Sequence, residues 1–259
     1  MRAVGAAALL LAACAGAPRE HVGPITGRAT VGGRTFTCSQ AGLFVAEGET
    51  SRWLGDPGIR AFALAGGAAG LLVGGGAPAQ SGELVLCDLD GGVRARIRIA
   101  DDLVYAVAQA PNATTAAAAC ADGRVVLVSL PGLTAPRIRW NHAGPAVAVA
   151  FSPDGELLAS GGHDGVVRLG PAAGEAPPQQ LIDHTAAVTC LAWSSDGARL
   201  VSGARDGKVR LHDRSGRLVH TWQRLGGSVH EVAFDGRSIR YVAASAQGQP
   251  ERGGVLDLP

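Results

Sequence analysis

Five cysteines and seven histidines are the side chains of this 259-residue chain best suited to metal binding or redox work. Thiols at Cys-x-x-Cys spacing would hold zinc or exchange disulfides. Cys38, Cys87, Cys120 and Cys190 instead stand far apart, each in its own apolar run, and read as buried thiols. His230-Glu231 opens like a zinc-protease helix motif, but Phe234 takes the place of the second histidine and the segment alternates like a strand. Gly66, Gly67, Gly70 and Gly74 to Gly76 could cradle a phosphate only ahead of a helix, and none is expected there. Gly-x-Ser-x-Gly does not occur. Asn112-Ala113-Thr114 fits a glycosylation sequon, which matters only in a eukaryotic secretory pathway. The sequence thus predicts no catalytic, cofactor or metal site.

The elements that position these residues are short. Hydrophobic residues make up 47% and charged residues 17%, enough to bury a sizeable core. Glycine occurs 38 times without a three-residue period, between short apolar runs where turns need positive φ, so a turn-rich β protein is favoured over collagen. Lys plus Arg number 23 against 22 Asp plus Glu, for a formal charge of +1, with no basic run able to neutralise several phosphates. Nucleic acid is therefore not an expected partner.

Met1-Arg2 and the apolar run Ala3 to Leu11 form a segment far below the roughly 20 residues that span a bilayer as a helix, so residues 1–13 read as an export signal. Leu11-Ala12-Ala13-Cys14 resembles the lipobox of bacterial lipoproteins. The resemblance implies cleavage before Cys14 and a lipid on its thiol, holding the protein at the periplasmic face of a membrane by about 0.8 kcal/mol per buried methylene. An ordinary signal cut after Ala17, leaving a secreted or periplasmic protein, and a start with no signal stay open. Residues 14–24 read as a tether.

Beyond it the chain repeats. Val147 to Gly155 recurs as Val188 to Gly197 and, shortened, as Val229 to Gly236; Phe151, Trp193 and Phe234 follow at steps of 42 and 41. Leu103 to Gln109 and Ile59 to Leu64 fall into the same register. Each unit holds apolar runs of four to seven residues split by Asp-Gly or Gly-Gly, the signal for short antiparallel strands joined by hairpins. Four strands per unit of about 42 residues make the blade of a β-propeller. The 235 residues from Ile25 to Pro259 accommodate six blades with one strand short. Seven blades stay open, as does completion of the last blade by Ile25 to Val31.

The units resemble the WD40 family, most closely from His142 to Trp222. His142, Ser160 and Asp164 are separated by 18 and 4 positions, as are His184, Ser202 and Asp206. The resemblance implies a hydrogen-bonded chain in each blade, from a loop histidine through a strand serine to a turn aspartate. Where the family places tryptophan on the third strand, this sequence has Cys87, Val128, Gly170 and His212. Incomplete polar sets and less rigid blades are therefore expected. Innermost strands starting at Ile59, Leu103, Ala146, Ala187 and Val229 offer no carboxylate or imidazole cluster for catalysis.

The resemblance accordingly implies a non-catalytic scaffold that binds a protein partner through its loops, where His163 and Arg205 are candidate contacts. A periplasmic ligand-binding or hydrolytic propeller, or a piece of a larger repeat protein, are the alternatives.

Overall fold

A computed structural model describes residues 25–48, 50–223, 225–245 and 252–259. The expected export signal, Cys14 and the tether lie outside them. All regular elements among the described residues are strands, β1 to β23, in six antiparallel sheets. Sheet one runs from β1 (Gly27–Val31) to β4 (Thr50–Gly55), sheet two from β5 (Ala61–Gly67) to β8 (Val93–Ala100), and sheet three from β9 (Val104–Gln109) to β12 (Thr134–Asn141). Sheet four orders β13 (Ala146–Phe151), β14 (Leu157–Gly162), β15 (Val167–Pro171) and β16 (Gln179–Leu181). Sheet five repeats it with β17 (Val188–Trp193), β18 (Arg199–Ala204), β19 (Val209–Asp213) and β20 (Leu218–Trp222). Sheet six holds three strands, β21 (Gly227–Asp235), β22 (Ser238–Ser245) and β23 (Arg252–Asp257).

Six blades, the last one strand short, is the architecture the repeat predicts. The N-terminal strand does not complete the last sheet: β1 pairs with the following strand of sheet one, from Gly27 opposite Cys38 to Val31 opposite Arg34. The two-residue turn Gly32-Gly33, both at positive φ, makes that local hairpin the short connection.

The repeat is copied down to its irregularities. The first strands of sheets two, four, five and six carry the same one-residue slip near their starts, at Ala61/Ala63, Ala146/Ala148, Val188/Cys190 and Val229/Glu231. The next hairpin is also shared. The Ser152 hydroxyl donates to Asp154 and accepts the Leu157 amide, and Ser194 does the same with Asp196 and Arg199. The glycines that follow, Gly155 and Gly197, sit at φ near +76° and +67°, where a Cβ would be strained.

The chain divides into two compact units, one built on residues up to Asp122 with Val126–Arg137, the other on Gly123–Val125 with Ile138–Pro259. In each, the apolar clusters are shared between successive sheets. In the first, Phe36, Leu43 and Val45 of sheet one pack with Leu71, Val73 and Val85 of sheet two, and Leu84 and Leu86 with Val107 and Val126 of sheet three. In the second, Val167 and Leu169 of sheet four pack with Val188 and Leu200 of sheet five, and Val201 and Leu211 with Val229 and Ile239 of sheet six. Burying such a side chain contributes about 1.5–3 kcal/mol, and no sheet could collect that alone. Cys38, Cys87 and Cys120 are buried inside these cores, and Cys190 is half-buried.

Candidate functional site

The polar residues singled out in sheets four and five converge in two matching networks. β14 places Ser160 opposite Val149 of β13, and the loop after β12 brings His142 onto it. Serine Oγ and His142 Nε2 are 2.8 Å apart, and Nδ1 lies 2.9 Å from Asp164 in the turn after β14. Asp164 also accepts the amides of Ala143 at 3.0 Å and Val166 at 3.2 Å. Gly165, at φ near +74°, turns the chain there; a Cβ would press on the His184 carbonyl. In sheet five, Ser202 and His184 Nε2 are 2.8 Å apart, His184 Nδ1 and Asp206 are 3.1 Å apart, and Asp206 accepts the amides of Thr185 and Lys208.

Sheet four corrects the expectation of an incomplete set. Gly170 stands on β15 where a tryptophan is missing, yet Trp140, arriving on β12, donates its indole N–H to Ser160 at 2.7 Å. Gly170 leaves the room: a Cβ would lie 3.1 Å from Pro178 and 3.6 Å from the indole. Arg139 fixes the ring by stacking on it at 4.6 Å and donating to the Pro171 and Ala176 carbonyls. A neutral His142 protonated on Nδ1 satisfies every member, with Trp140 donating to Ser160, Ser160 to His142 and His142 to Asp164.

Sheet five solves the same position differently. His212 stands there, fully buried, and its Nε2 lies 2.9 Å from Asp183, one residue before His184. Its Nδ1 has no hydrogen-bond partner among the described residues. Asp213, next in sequence, is spent on its own turn, accepting from Ser215 and Arg217.

Two arginines complete the networks. Arg168 lies on β15 and Arg210 on β19, each four residues after its aspartate. Arg168 donates to Asp164 at 2.8 Å and sits 2.6 Å from His142 Nδ1; Arg210 donates to Asp206 at 3.0 Å and touches His184 Nδ1. Their position was readable in principle, since Asp-Gly-x-Val-Arg occurs in both repeats. Nothing local to Trp140 or Asp183 reveals a partner in the next sheet.

These contacts set the charges. Burial, aided by Arg168, outweighs the pull of Asp164 and holds His142 below its usual value. Burial and then Arg210 push His184 down to about 4. Burial likewise lowers His212. Burial would raise Asp164, but hydrogen bonds from His142, the Ala143 amide and Arg168 overcome it and bring the carboxyl to about 2. Asp206 is lowered the same way, against burial, chiefly by Arg210 and the Thr185 amide. Each site is a neutral imidazole between a carboxylate and a guanidinium.

Serine, histidine and aspartate in this order have the spacing of an acyl-transfer triad. Ser160 and Ser202 are, however, 0% exposed. The expected loop contacts His163 and Arg205 are exposed, at equivalent positions just before Asp164 and Asp206. Asp102 accepts the amides of Ala79 and Leu103. His230 is exposed on β21. Among the described residues no three His, Cys, Asp or Glu side chains are grouped to hold a metal ion.

A family model described as WD domain, G-beta repeat matches residues 137–169 and 176–213, which contain both networks. No curated protein matches the sequence. Among solved structures, the crystal structure of the computationally designed Ika8 protein is similar over 93% of this chain and 73% of that one, at 18% identity and a TM-score of 0.73. That likeness concerns the fold alone. The matched segments are thus two repeats of the WD40 type, each holding one of the polar networks, within an all-β fold of six successive antiparallel sheets.

Proposed function

We propose that this propeller is a non-catalytic docking platform for a protein partner, exported and held at a membrane by a lipid on Cys14. WD40 propellers serve in general as protein-interaction scaffolds. The observation that carries the non-catalytic part is the sealing of both serines. In sheet four the Ser160 oxygen already faces Trp140 and His142, and a substrate carbonyl has no path to it. The networks spend their hydrogen bonds on joining strand, loop and turn, as buried polar groups must to offset their desolvation. The exposed turns carrying His163 and Arg205 are left to make contacts. Anchoring is supported by Leu11-Ala12-Ala13-Cys14 in the sequence.

Membrane fractionation and co-purification of wild type against Cys14→Ser test this reading. Wild type is expected in the membrane fraction with a stoichiometric partner, and Cys14→Ser in the soluble fraction. Equal partition of the two, or purification without any partner, would contradict it. A serine-hydrolase reading of the two networks has no such support, since it requires a reachable hydroxyl.

A further inference from the structure

A cleft of about 780 Å³ opens in the second unit, lined by the turn Arg205 to Lys208 and by Gln223, Leu225 to Ser228 and Ala244. Its side chains are unevenly committed. Asp206 is fully engaged by His184, Arg210 and two amides, so its charge is neutralised within the wall. Arg205 is exposed and Lys208, the one lysine of the chain, is half-buried. Neither cation has a partner among the described residues. The Ser228 hydroxyl is buried and likewise unpartnered there, which is costly for a hydroxyl unless something else bonds it.

The fold does not require these charges. The matching turn of sheet four holds its aspartate by the same contacts, with His163 and Val166 where sheet five has Arg205 and Lys208. Two surplus cations beside an unsatisfied hydroxyl, flanked by apolar Leu225 and Ala244, make a receptor for an anion carried on an apolar chain.

We propose that this cleft binds a carboxylate of an acidic segment in a protein partner, Arg205 and Lys208 supplying the charge and Ser228 a hydroxyl donor. The inference rests on the docking reading and names the chemistry of one contact. A carboxylate suits the site because one guanidinium fork matches its two oxygens in plane.

Fluorescence anisotropy on the full chain tests it, using labelled peptides that alternate Glu, Gln or phosphoserine with Leu. The Glu peptide should bind saturably and weaken with salt, and Arg205→Gln with Lys208→Gln should weaken it roughly tenfold or more. Arg237→Gln, in the exposed turn after β21, should leave it unchanged, and equal thermal melts would show both variants folded. Equal binding of the Gln peptide, binding only of the phosphoserine peptide, or indifference to the double substitution would overturn the proposal. A natural partner captured as well by the double variant as by wild type would also overturn it while leaving the docking reading intact. Glu-peptide binding that obeys the double substitution supports the cleft even where no natural partner co-purifies.

Discussion

The indole of Trp140, on the last strand of sheet three, donates to the hydroxyl of Ser160 on the second strand of sheet four, 2.7 Å away. That hydrogen bond closes a chain that runs on through His142 to Asp164. Removing only its N–H should be costly, because Ser160 is buried. Trp140→Phe is expected to destabilise by about 1–3 kcal/mol, or about 2–4 °C in melting temperature per kcal/mol. Differential scanning calorimetry checks this. A melt unchanged from wild type would show that Gly170 and its surroundings do not rely on the relocated ring.

Stability should fall as pH drops from neutral. His184 titrates at about 4 in the fold against 6.5 ordinarily, so below 6.5 the unfolded chain takes up a proton that the folded chain refuses. The stabilisation is full above 6.5 and lost progressively down to about 4, amounting to about 3 kcal/mol from this residue. His142 and His212 shift in the same direction and add to it. Asp164 extends the loss further, between 3.8 and about 2. Denaturant titrations at pH 7, 5.5 and 4.5 measure it; equal unfolding free energies at all three would contradict the assignment of neutral histidines.

The core thiols should be silent until the sheets separate. Burial pushes Cys38 and Cys87 up to about 11, so at pH 8 little thiolate forms and little of either sulfur is reachable. In a Cys14→Ser background, a maleimide should leave Cys38, Cys87 and Cys120 unmodified in buffer and modify them in denaturant. Peptide mass mapping reads the sites. Rapid labelling of Cys38 in the native protein would mean that sheets one and two do not seal their shared core.

The blades were legible because their signal is local. Asp-Gly turns and apolar runs such as Ala146 to Phe151 specify a hairpin wherever they occur, and the 42-residue step repeats them. The His-Ser-Asp spacing was legible for the same reason. The tryptophan was not: its place on β15 reads Gly170, and the replacement arrives 30 residues earlier on another sheet. His212 and Asp183 were hidden likewise, since their pairing depends on where β19 lies relative to the loop before His184 and not on spacing along one strand.

Whether the buried Ser-His-Asp sets build blades or perform chemistry is decided most directly by Ser202→Ala and Ser160→Ala, each measured for melting temperature and for labelling by a fluorophosphonate. Structural networks predict that wild type takes up no label and that each variant melts several degrees lower, in line with about 1–3 kcal/mol for an orphaned buried partner. Stoichiometric labelling of wild type that disappears in Ser202→Ala, at an unchanged melting temperature, would make the second repeat a working nucleophile.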